Sequence, residues 1–146
     1  PFEWEDFKAA CKNLTSKDFL IFFLGVNDFL SYGRPDIPRV LNHLKGFFSD
    51  FEKEKIPFLP ENILYICPPS LDFSGDKAYA AFSTVDGKLS EALSAYCESE
   101  EIRSFDTAKI TLDRYPDKVH LTGDAQKILG AKLAEFIRRE DFFKLE

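Results

Sequence analysis

Hydrophobic and polar positions along the chain alternate between two periods, and this alternation predicts the elements. Trp4, Phe7, Cys11 and Leu14 recur at helical spacing, and Thr15-Ser16-Lys17-Asp18 then breaks the run. Phe19 to Leu24 is apolar on both faces, the pattern of a strand buried inside a parallel sheet. Gly25-Val26-Asn27-Asp28 reads as the turn that ends it. From about Pro35 to Phe51 the stripe Ile37, Val40, Leu41, Leu44, Phe47, Phe48, Phe51 predicts a helix, with Pro35 suited to its first turn. A second buried strand, Ile63 to Cys67, is closed by Pro68-Pro69. Tyr79, Phe82, Val85, Leu89, Leu93 and Tyr96 stay in register for one long helix whose weak point is Gly87. A shorter strand covers about Ile102 to Phe105. Thr122 suits the N-cap of a last helix, with Ala125, Ile128, Leu129, Leu133, Phe136 and Ile137 on its core face.

This order implies an α/β chain: three layers, α/β/α, around a parallel, flavodoxin-like sheet joined by right-handed crossovers. Neither repeats nor linker-like tracts interrupt it, so residues 1–146 read as a single α/β domain. Three strands are few for four helices, and Phe19–Leu24 at a sheet edge would be a long hydrophobic edge of the kind proteins avoid. The expectation is that further strands come from an N-terminal segment that the sequence lacks.

Composition narrows the function classes. With 146 residues, 45% of them hydrophobic, the chain can bury a sizeable core and is not disordered. Its 25 acidic and 19 basic residues leave a net charge of −6, which offers no attraction to nucleic acid or an anionic membrane. No apolar run approaches the ~18 residues of a transmembrane helix. Cys11, Cys67 and Cys97 are odd in number and form no CxxC pair, so they read as buried, reduced thiols of an intracellular, cytoplasmic protein, with no metal site or cofactor implied. Asn13-Leu14-Thr15 fits a glycosylation pattern that arises readily by chance.

In an open α/β sheet, ligands bind beyond the carboxyl ends of the strands, so the residues that follow each strand carry the candidate chemistry. Asp117 and His120 stand three apart in the loop before the last helix. An aspartate there can hold an imidazole in one tautomer and stabilise its cation, as the orienter and base of a nucleophilic triad do. The alternative is a loop histidine that is bonded locally. His43, the other histidine, falls off the apolar stripe of its helix and reads as solvated. After the first strand, Gly25 permits a tight turn and the Asn27 amide can donate to a developing oxyanion. The alternative is an Asx turn in which Asn27 satisfies its own backbone.

Taken together, a buried strand ending in Gly25-Val26-Asn27-Asp28, a later Asp117-Lys118-Val119-His120-Leu121-Thr122 and an amphipathic final helix resemble the SGNH (GDSL-type) serine ester hydrolases. In that family Gly-x-Asn-Asp is the third conserved block and Asp-x-x-His the fifth. The likeness runs from about Phe19 to Ile137, and it marks the chain as the C-terminal part of such a domain. It implies that His120 is the general base that activates a serine and then the acid that protonates the leaving alcohol. By the same likeness Asp117 orients His120, Asn27 is the side-chain donor of the oxyanion hole, and Gly25 and Asp28 support the turn. The implied reaction is hydrolysis of carboxylic esters, the O-acyl groups of sugars or lipids, without metal or organic cofactor.

The chain departs from the family in lacking the Gly-Asp-Ser block and the glycine that supplies a second oxyanion donor. The family's first strand lies beside the Gly-x-Asn-Asp strand, so the same N-terminal segment would bring both the serine and the missing strand. Ser74 reads as part of a loop leading into a helix, Ser70 is similar, and Cys67 reads as a core thiol; none makes a good replacement nucleophile. The runner-up is a catalytically inactive relative that serves as a binding or interaction module. A third reading is an unrelated flavodoxin-like module. The clustered Asp141-Phe142-Phe143 suits docking on the domain or on a partner.

Overall fold

The apolar runs become a three-stranded parallel sheet in the order β1-β2-β3, where β1 is Leu20–Phe22, β2 is Ile63–Cys67 and β3 is Arg103–Asp106. They are seen in a computed structural model, which describes residues 3–15, 18–56, 60–71, 73, 75–83, 85 and 87–140. The helices are α1 (Trp4–Cys11), α2 (Val26–Ser31), α3 (Ile37–Lys53), α4 (Ala80–Ser83), α5 (Lys88–Ser99) and α6 (Gly123–Arg139). Asp141-Phe142-Phe143 and Ser74 lie outside the described residues.

Strand register explains the layers. Phe22, Tyr65 and Ser104 are aligned across the sheet and point to one face. There the Phe22 ring meets Phe47 and Phe48 of α3 edge-on, with centroids 5.3 and 6.0 Å apart. The Ser104 hydroxyl meets that of Ser94 on α5 at 3.0 Å. Helix α1 closes this layer by stacking Trp4 on Phe47 and pairing Lys8 with Glu54. The opposite face belongs to α6, whose Phe136 ring lies 5.0 Å from Phe105. The result is the α/β/α arrangement.

Four local expectations change. Strand β1 is shorter than 19–24 and is not buried on both faces, because α6 covers β3 and leaves Ile21 and Phe23 each 44% exposed. The Gly25–Asp28 turn opens directly into α2. Helix α3 begins at Ile37, after Pro35: Asp36 caps it by accepting from the Arg39 N–H at 3.1 Å, and Pro38 occupies its first turn. The long helix predicted from Tyr79 to Tyr96 is two helices. Gly87 adopts φ 74°, a left-handed conformation that a continuous helix cannot contain, and α5 starts after it. Among the described residues, no helix is long and apolar enough to cross a membrane.

Candidate active site

The carboxyl end of β1 is held by its neighbour. The Tyr65 hydroxyl, on β2, donates to the Leu24 carbonyl at 2.8 Å. The chain then turns at Gly25, where φ is 110° and a Cβ would lie 3.4 Å from that same hydroxyl oxygen. Only glycine enters this turn without strain. The Gly25 carbonyl accepts the Phe29 N–H at 2.9 Å, which starts α2 and places the exposed Asn27 in its first turn.

Asp28 points from α2 towards α3, where its Oδ1 lies 3.4 Å from His43 Nδ1; the Tyr32 hydroxyl approaches the same nitrogen at 3.2 Å. His43 is therefore not merely solvated, as its position off the apolar stripe suggests. It links α3 to α2 while remaining half-exposed.

His120 is presented by a short antiparallel hairpin. Arg114 pairs with Leu121, the Tyr115 N–H donates to the His120 carbonyl at 2.9 Å, and Lys118 takes φ 60° at the tip. Asp117 organises this loop. Its Oδ1 accepts the backbone N–H groups of Val119 and His120, each at 2.9 Å, and its Oδ2 lies 2.8 Å from His120 Nδ1. The imidazole hydrogen bond, helped by those two N–H groups, holds the Asp117 carboxyl down at about 2. With Nδ1 engaged, the second ring nitrogen is left for other chemistry. The Arg114 guanidinium donates to the Ser70 carbonyl, fastening the hairpin to the loop after β2. Thr122 then caps α6 by accepting from the Ala125 N–H at 3.2 Å.

These two segments meet at one cavity of about 700 Å³. Gly25, Val26, Asn27 and Asp28 line one side and Val119, His120 and Leu121 another, over an apolar floor that includes Ile66, Leu129 and Leu133. Asn27 and His120 thus face a common space although they are remote in sequence. Asp117 reaches it through His120. The cavity joins an amide donor to a braced imidazole, a pair suited to stabilising an oxyanion and moving a proton. Its lining, among the described residues, contains no serine, threonine or cysteine.

The end of β2 is built for structure. Burial pushes the Cys67 thiol up to about 12 against a lowering hydrogen bond from Ser90, and the nearby Asp106 carboxylate adds to the rise. At the end of β3, burial would raise the Asp106 carboxyl. Hydrogen bonds from Ser90, at 2.6 Å, and from the Ala108 N–H outweigh that effect, with Lys109, and hold it below its usual range. Among the described residues, no group of three acidic, histidine or cysteine side chains is placed to hold a metal ion.

Tyr65, Arg114 and Asp106 shape these strand ends and carry no motif. The available signal for Tyr65 is a phenol inside an apolar strand, which needs a hydrogen-bond partner once buried.

No family model matches the chain, and no curated protein matches it. Among solved structures, the chain is similar in fold to a "putative arylesterase" from Agrobacterium tumefaciens str. C58. The likeness has a TM-score of 0.62 at 20% sequence identity and covers 92% of this chain and 67% of that one. The chain therefore shares its α/β/α fold with that protein.

Proposed function

We propose that this chain is the C-terminal part of an SGNH-type serine ester hydrolase domain, with the nucleophilic serine on an N-terminal segment outside these 146 residues. The observation that carries the reading is the shared cavity: Asn27 and the Asp117-braced His120 line one space at the carboxyl ends of parallel strands. The solved structure similar in fold is described as a putative arylesterase, which agrees with ester hydrolysis. In the described sheet β1 is an edge strand, and this apolar edge supports a further strand beside it.

In this reading the serine oxygen bonds to the ester carbonyl carbon as its proton passes to Nε2 of His120. The Asn27 amide donates to the carbonyl oxygen as it gains negative charge. Collapse of the tetrahedral intermediate breaks the ester bond, and His120 returns the proton to the departing alcohol. Water then attacks the acyl-serine by the same route and releases the carboxylic acid and the free serine. Asp117 keeps Nδ1 of His120 engaged and stabilises the imidazolium. Asp28 and Gly25 hold the turn that carries Asn27. The substrates are O-acyl esters of sugars or lipids. The three unbridged, buried cysteines suit a reducing, cytoplasmic setting.

Fluorophosphonate labelling of native material, read by intact mass under denaturing conditions, tests this. A labelled longer polypeptide containing this sequence, or a labelled companion segment, is the expected result, and His120→Ala abolishes the label. The cavity's lack of a serine among the described residues favours one second reading, a binding module without catalysis. Absence of label with every segment present would establish that reading instead.

A further inference from the structure

Asn27 is exposed and belongs to a helix of only six residues, too short to hold itself in place in water. Something outside α2 must set its position. Two residues before α2, the Leu24 carbonyl receives the Tyr65 hydroxyl at 2.8 Å, and Tyr65 is 1% exposed in the central strand. Burial raises the phenol's pKa well above its ordinary value, so it stays protonated as a donor throughout the usual pH range. The same oxygen approaches the place where a side chain at Gly25 would begin. The phenol therefore fixes the peptide from which the turn departs, and the φ of 110° restricts the turn to a glycine.

We infer that Tyr65 is a positioning residue for Asn27: its hydroxyl sets where the amide stands relative to His120 across the cavity. This rests on the proposed role of Asn27 as oxyanion donor. Tyr65 is not among the described residues that line the cavity. Its effect passes through Leu24 and Gly25 alone, so it should vanish when the Asn27 amide is gone.

The test is a double-mutant cycle in the native protein that carries this chain, with p-nitrophenyl acetate as probe ester. Tyr65→Phe keeps the ring and deletes the hydroxyl; it should lower kcat about tenfold with KM unchanged, part of the 10²–10³-fold loss typical of deleting such a donor. In an Asn27→Ala background, Tyr65→Phe should change kcat by less than about twofold. Tyr65→4-aminophenylalanine, which keeps a donor in place, should restore turnover. An equal slowing in both backgrounds would assign Tyr65 to general stability and overturn the inference. So would full turnover by Tyr65→Phe beside a slow Asn27→Ala. Unchanged turnover by Asn27→Ala would overturn the donor role itself, and with it this inference. A measurement on the unaltered chain needs no folded variant: NMR should show the Tyr65 hydroxyl proton protected from exchange, and rapid exchange would overturn the inference.

Discussion

His120 and Asp117 are joined twice: Oδ2 of the carboxylate lies 2.8 Å from the ring's Nδ1, and Oδ1 accepts the backbone N–H of His120 at 2.9 Å. One side chain therefore orients the imidazole and also closes the loop that carries it. The loop is exposed, so the pair depends on its geometry more than on a low dielectric.

That geometry has a pH signature. The Asp117 carboxyl is held at about 2 against an ordinary 3.8, so its folded value lies below its unfolded one. The stability it contributes is fully present above 3.8 and is lost as the pH falls towards 2. A carbon-13 titration of the carboxyl should give the low midpoint. His120→Ala should raise the midpoint only part of the way, because the N–H groups of residues 119 and 120 still donate. An unchanged midpoint in that variant would show that the imidazole is not the principal partner.

Gly25→Ala should destabilise the fold by about 1–3 kcal/mol, because alanine is strained at φ 110°. Gly33 also has positive φ, but its 66° lies within the left-handed region that L residues do visit. Gly33→Ala should thus cost less in urea denaturation. Equal costs would show that the larger φ at Gly25 adds no strain.

Thr122→Ala deletes the cap of α6 and should lower stability by about 1 kcal/mol, whereas Thr122→Ser should retain most of it. Thermal or urea unfolding measures both. A neutral Thr122→Ala would mean that water replaces the cap.

Cys67 is fully buried with its thiol pushed up to about 12, and Cys11 and Cys97 are buried too. Iodoacetamide at pH 8 should modify none of the three in the folded protein and all three in denaturant, by intact mass. Rapid modification of Cys67 in the folded state would reopen it as a nucleophile.

Much of the fold is legible in the chain because the elements have distinct periods. Ile63–Cys67 is apolar at every position and is buried at every position. The stripe of α3 and the cap at Thr122 are equally local signals. Periodicity misleads at residues 79–96, where the apolar spacing continues through a glycine whose backbone has left the helix. It misleads again at β1, whose apolar run does not reveal that α6 leaves one flank uncovered.

At the candidate site the division is similar. Asp117 and His120 are three residues apart, and a hydrogen bond over that distance can be read from sequence alone. So can the need for glycine before Asn27. The meeting of Asn27 with His120 at one cavity depends on the parallel pairing of β1 with β2 and on the hairpin's attachment to the loop after β2 through Arg114 and Ser70. The fastening of Leu24 by Tyr65 joins residues 41 apart in the chain. Local spacing specifies which groups each segment offers, since neighbouring residues share a backbone geometry set by a few dihedral angles. Packing of the sheet alone decides which segments face one another, because strand register and helix cover are properties of surfaces brought together from distant parts of the chain.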